Sequence, residues 1–269
     1  SDANYTFTPD RIHPSDIGHY IMAYSFLKAQ GETGAVASVS IDAAQKTIDS
    51  DNAAVSSLSV TDSTVTYQYT PNSLPLGADE TYRSVERLLP ITDELNRETI
   101  RVTGLKDGLY NIKMDGNVVM QATGVQLASG VNIADKQKNA NQQIALTVLN
   151  FVKLHRRTME SYRNFVANEI QYISKYKLDA ASNATLVSSA QAWIAANPSA
   201  ASDIETLQKY LNQKAAESST LAQLAAYEAR VAELNKPVQC NVVIEYAGEG
   251  SVVQNSAVYE KFSLPQDTL

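Results

Sequence analysis

Two side chains near the start of the chain are the first with chemistry in their spacing. Asp10 stands three residues before His13 in Asp10-Arg11-Ile12-His13-Pro14-Ser15-Asp16-Ile17-Gly18-His19. An acid at that distance on a tight loop can hold one imidazole nitrogen, which fixes tautomer and orientation and leaves the other nitrogen to act as a general base. By spacing alone the pair is a weak signal, because an acid and a histidine share many surface loops. The remaining reactive types point to packing more than to chemistry. His19, six residues after His13, lies well round the helix from it and has no third partner for a metal site. His155 falls on an apolar stripe, where a hydrogen-bonded core histidine outweighs a catalytic one. The adjoining His155-Arg156-Arg157 reads as a solvated helix edge rather than an anion site. Cys240 alternates with Val238 and Val242, so a packed strand thiol is favoured over a reactive one. Tyr67 and Tyr69 share one face of a strand and are the best candidates, with Trp193, for an aromatic sugar platform, although core packing is favoured for the pair.

The elements that must position these residues fall into three stretches. From Pro14 the apolar residues Ile17, Tyr20, Ile21, Tyr24 and Leu27 recur at helical spacing, and Gly31 closes the helix. Residues 36–123 read mainly as strands: 36–42, 57–61, 63–70, 99–103 and 109–113, with a short helix inserted at 79–89. Asp115-Gly116, between Ile112-Lys113-Met114 and Val118-Val119-Met120, predicts a two-residue hairpin. From Ala134 the period becomes 3.6. Ile144, Val148, Val152, His155, Met159, Tyr162, Val166, Ile170, Ile173 and Tyr176 predict one long amphipathic helix. A second helix is expected over 185–196, and a third from the capping box Ser202-Asp203-Ile204-Glu205. A break at Ser218-Ser219-Thr220 leads to a fourth, ending near Pro237. Residues 238–246 return to strand, and Val252-Val253 and the tail follow without firm pattern.

Charge and composition narrow the function classes. The 269 residues carry 22 Lys and Arg against 29 Asp and Glu, a formal charge of -7 with 44% hydrophobic residues. Nucleic-acid phosphates require clustered cations, so no nucleic-acid partner is expected. No apolar run approaches the roughly 18 residues of a membrane span, and no membrane partner is expected. The single cysteine excludes an intrachain disulfide and a multi-cysteine zinc site. No metal or other cofactor is expected.

The block from Asp10 to His19, followed by Met22-Ala23 and Phe26-Leu27-Lys28-Ala29-Gln30-Gly31, resembles the last conserved block of the SGNH, or GDSL-type, esterases and acylhydrolases. A second stretch, Leu105 to Gly116 with Leu127 to Ala134, looks like the accessory region after the catalytic domain in some secreted bacterial members. The resemblance implies that Asp10 and His13 are catalytic, Asp10 as orienter and His13 as the base that deprotonates a serine. It also implies that residues 1–31 are the C-terminal remnant of a flavodoxin-like SGNH domain. The family's Gly-Asp-Ser nucleophile block and its oxyanion-hole Gly and Asn blocks have no counterpart before Asp10, nor does Gly-Asp-Ser occur downstream.

The fold expected is therefore α+β: the remnant at 1–31, a small antiparallel β-rich accessory domain at 32–133, a helical region at 134–237, and a returning strand and tail at 238–269. The function expected is ester hydrolysis, on a small ester or acylated glycan, by a parent or complemented enzyme. Alone the chain is expected to be inactive, and the missing N-terminal part of the catalytic domain becomes an expected partner. A degenerate relative, a non-enzymatic accessory module that binds glycan or protein, is the alternative. Secretion or a periplasmic location is implied by resemblance only.

Overall fold

The computed structural model describes residues 6–250 and divides into two units. One holds the described residues up to Gln142 and those from Pro237 onward, and the other holds residues 143–236.

The first unit begins with α1 (Asp16–Ala29). Ser15 caps it by accepting from the Gly18 amide, which satisfies one of the open donors of the first turn. The predicted face, Ile17, Tyr20, Ile21, Tyr24 and Leu27, packs against the buried Ala78, Tyr82, Val85, Ile91 and Leu95. These come from α2 (Glu80–Glu86), α3 (Ile91–Leu95) and the chain leading into them. Polar contacts fix the far end of α1, where the Tyr24 hydroxyl donates to Glu94 at 2.7 Å and Lys28 pairs with the same carboxylate at 2.9 Å.

Nine strands form two sheets among the described residues. β1 (Ala35–Asp42), β2 (Thr47–Asp51), β5 (Arg97–Thr103) and β8 (Val131–Asn132) make a four-stranded sheet in the order β2-β1-β5-β8. β3 (Ala53–Val60), β4 (Thr64–Pro71), β6 (Leu109–Met114), β7 (Asn117–Thr123) and β9 (Cys240–Gly248) make a five-stranded sheet in the order β3-β4-β9-β6-β7. The β region is not purely antiparallel as the sequence predicts, because β1 and β5 run parallel, with Val39 opposite Ile100 and Ile41 opposite Val102. Parallel neighbours need a long crossover, and the chain from Asp42 to Arg97, which carries β2, β3, β4, α2 and α3, supplies it. Nor does the strand near residue 240 stand apart at the end of the chain. β9 is the central strand of the second sheet, paired antiparallel with β4 and β6, so segments far apart in the sequence build this unit together.

Alternation explains the burial. Along β4 every second residue, Val65, Tyr67 and Tyr69, is buried, as are Tyr110, Ile112 and Met114 of β6 and Cys240, Val242 and Ile244 of β9. They meet Val39, Ile41, Ile100 and Val102 of the four-stranded sheet in one core. Tyr67 and Tyr69 are thus core residues, 1% and 3% exposed, and supply no sugar platform. The hairpin forms as expected, with Met114 opposite Asn117 and positive φ at both Asp115 (47°) and Gly116 (81°). A short helix, α4 (Gly124–Ser129), follows β7 behind a Thr123–Gln126 capping box.

The long helix of the sequence pattern is α5 (Ala140–Tyr176). In the second unit it packs with α6 (Asn183–Ala196), α7 (Ala201–Ala215) and α8 (Glu217–Leu234). Phe165, Tyr176, Leu178, Leu186, Ala190, Leu207 and Tyr210 form the core there. The capping box predicted at Ser202 does not form. The helix starts at Ala201 with Ala200 as an unassisted N-cap, because a turn closed by the Ala200 amide on the Asn197 carbonyl brings the chain into helix two residues earlier. The break also moves, from Ser218–Thr220 to Ala216. Ser219 and Thr220 turn their hydroxyls onto the Ala216 carbonyl, so they sit inside the first turn of α8. Val252, Val253 and the tail lie outside the described residues.

Candidate active site

Residues 7–18 build a compact loop onto the front of α1. The Arg11 amide donates to the Thr8 carbonyl at 3.1 Å, and Arg11 takes a left-handed φ of 66°. Asp10 Oδ1 then accepts from the amides of Ile12 at 3.0 Å and His13 at 2.7 Å, the arrangement by which an aspartate side chain nucleates its own turn. The Ser15 amide returns to the Phe7 carbonyl at 2.8 Å. Gly18 makes the closure possible. A Cβ there would stand 2.7 Å from the Phe7 carbonyl oxygen and 3.0 Å from Pro14 Cβ, so no side chain fits between loop and helix.

The second oxygen of Asp10 reaches the imidazole. Asp10 Oδ2 lies 2.6 Å from His13 Nδ1. This imidazole, followed by the two amides, holds the Asp10 carboxyl down to about 2, so the group is ionised at neutral pH and can only accept. Nδ1 must then carry the proton of that bond, and the tautomer leaves the lone pair on Nε2. The His13 side chain is 80% exposed and that of Asp10 52%, so Nε2 is open to a reacting group. Among the described residues no hydroxyl or thiol hydrogen-bonds to it.

The other candidates go elsewhere. His19 Nδ1 faces the Ser15 carbonyl at 3.0 Å, one helical turn behind it, and takes no part in the pair. His155 bonds Glu228 through Nε2 at 3.0 Å within the helical unit. Cys240 is buried on β9, and burial pushes its thiol up to about 12, which suits packing and not nucleophilic attack. Its sulfur lies 3.8 Å from Asn141 Nδ2 and 3.7 Å from the Val238 carbonyl.

A buried polar ring escaped the sequence reading. Glu98 on β5 is 1% exposed. Its Oε1 accepts from the Tyr69 hydroxyl at 2.8 Å and its Oε2 from Asn139 Nδ2 at 2.7 Å. The signal was present: Glu98 shares its parity along the strand with Ile100 and Val102, the two residues that fill the core.

A solved structure of a gut microbial diltiazem-metabolizing enzyme is similar to this chain, with a TM-score of 0.75 at 24% identity. The match covers 91% of this chain and 58% of that one, so this chain spans little more than half the length of its neighbour. The likeness is one of fold. No family model matches the chain, nor does any curated protein.

Proposed function

We propose that this chain contributes the orienting acid and the general base to a serine ester hydrolase of the SGNH type, acting on a small ester or an acylated glycan. The observation that carries the reading is the 2.6 Å contact between Asp10 Oδ2 and His13 Nδ1, with Nε2 left exposed. In this mechanism Nε2 takes the proton of a serine hydroxyl as its oxygen attacks the ester carbonyl. The same proton then passes to the departing alkoxide, leaving an acyl-enzyme. Water enters on the same base, which removes one proton and returns it to the serine as the acid is released. Asp10 stays ionised throughout and stabilises the imidazolium between transfers.

The serine and the oxyanion donors are supplied by polypeptide outside these 269 residues, either in the same chain or in a second one. The fold likeness to an enzyme that metabolizes diltiazem is compatible with hydrolysis. The test is p-nitrophenyl acetate turnover by the complete enzyme. His13→Ala should lose on the order of 10⁴- to 10⁶-fold in kcat. Turnover at the wild-type rate by that variant would remove His13 from the mechanism. Glycan or protein binding by a protein with no turnover and no labelling by a serine-directed fluorophosphonate would favour the accessory-module reading.

A further inference from the structure

Glu98 lies where three parts of the first unit meet. Its strand belongs to the four-stranded sheet, and the Tyr69 that donates to it belongs to the five-stranded sheet. The Asn139 that donates to its other oxygen opens a relay: Asn139 Oδ1 accepts from the Asn141 amide at 3.0 Å, and Asn141 Oδ1 accepts from the Val238 amide at 2.8 Å. Val238 leads directly into β9, where Cys240 stands opposite Tyr69 across the strand pair. The hydrogen bonds therefore close on themselves as a ring: Tyr69, Glu98, Asn139, Asn141, Val238 and back through β9.

We propose that Glu98 is a proton-held latch, which when neutral keeps this ring shut over the point where the chain leaves and re-enters the first unit, and which on ionising lets that junction open.

Three observations converge on it. Among the described residues no Lys, Arg or His pairs with Glu98, so its charge would stand in the core with two neutral donors alone. The ionisable groups facing it are Tyr67 and Tyr69 on β4 and Cys240 on β9, and each is itself driven upward by burial, so none offers a compensating charge. The Tyr67 hydroxyl is buried without a hydrogen-bond partner and gives the carboxylate no third donor. Burial accordingly pushes the Glu98 carboxyl up, outweighing the hydrogen bonds from Tyr69 and Asn139, which favour the ionised form. A neutral carboxyl still fills the ring, its Oε2 accepting from Asn139 and its Oε1–H donating to the Tyr69 hydroxyl oxygen, the reverse of the bond it accepts when ionised. An ionised one draws water toward a dry site.

The sign follows from linkage. The folded state holds this proton more tightly than the unfolded chain, so the stabilisation is complete below the unfolded value of roughly 4.3. It is lost as pH rises toward the raised folded value. The experiment is hydrogen exchange at the Val238 and Asn141 amides of the whole chain across that range, corrected for intrinsic base catalysis. The opening equilibrium should rise up to about tenfold per pH unit in the wild type and stay flat in Glu98→Gln. Equal pH dependence in both proteins would overturn the latch. If Glu98→Gln fails to fold, direct ¹³C titration of the Glu98 carboxyl in the wild type decides: a midpoint clearly above that of an ordinary glutamate is required, and one at or below it sinks the proposal.

Discussion

Asn141 and Val238 stand 97 residues apart in sequence and hold each other by both polar ends: Asn141 Oδ1 accepts from the Val238 amide at 2.8 Å, and Asn141 Nδ2 donates to the Val238 carbonyl at 3.3 Å. A side-chain amide thereby mimics a strand partner for the residue that leads into β9. The chain leaves the first unit just after Asn141 and returns just before Val238, so the helical unit is an insertion whose two stems are clasped at the base.

Insertions with adjacent stems can be removed. Replacing residues 143–236 by a short Gly/Ser linker between Gln142 and Pro237 should leave the two sheets intact, since all nine strands lie outside that segment. Near-UV circular dichroism and a single cooperative melt would register the retained core. An unfolded product would show that the sheets depend on the helices.

Two glycines separate steric from backbone demands. Gly116 sits at φ 81° with open space where a Cβ would stand, so Gly116→Ala should cost only the left-handed penalty, roughly 1–2 kcal/mol by denaturant midpoint. Gly18 lies in a helix, where alanine would ordinarily gain about 1 kcal/mol. The 2.7 Å approach of the Phe7 carbonyl outweighs that gain. Gly18→Ala should destabilise by about 1–3 kcal/mol, displace the loop that carries His13 and, under the proposed function, lower p-nitrophenyl acetate turnover.

In the helical unit, burial decides which ion pairs matter. The Lys214 side chain is 6% exposed between Glu169 at 2.8 Å and Glu217 at 2.9 Å, and the hydroxyls of Tyr210 and Tyr162 donate to the same two carboxylates. Lys214→Ala leaves both acids without their cation and should cost about 3–5 kcal/mol, with little relief from added salt. Lys209, 73% exposed beside Glu205, should leave the denaturant midpoint essentially unchanged on the same substitution.

For the Asp10–His13 pair, ¹⁵N shifts of the neutral His13 ring should place its proton on Nδ1 in the wild type and show a loss of that tautomer preference in Asp10→Ala. The Asp10 carboxyl, depressed in the folded protein, contributes its hold above the ordinary aspartate value of roughly 3.9 and loses it as pH falls through about 2. A ¹³C titration midpoint near that of a free aspartate would contradict the hydrogen-bonded geometry.

Local features were the legible ones. The stripe from Ile17 to Leu27, the hairpin at Asp115-Gly116 and the long period of α5 each depend on residues near one another, and each appears where the sequence places it. The parallel pairing of β1 with β5, and the insertion of β9 between β4 and β6, join residues far apart and leave no mark in either strand's own alternation. β2, too polar to alternate clearly, and the short α3 and α4 were not anticipated either. Of the candidate site, Asp10 and His13 were readable because four residues contain the whole contact. The burial of Glu98 was readable from its parity with Ile100 and Val102, but its partners were not, since Tyr69 and Asn139 lie 29 and 41 residues away.

The three donors gathered by Asp10, the two amides and the imidazole, all come from within three residues of it. Ring orientation and proton placement at His13 are consequently written into one short turn and need no help from a distant scaffold. In the ester hydrolysis proposed above, a base so held would be poised before any substrate arrived, the freezing of its imidazole charged to folding and not to each cycle.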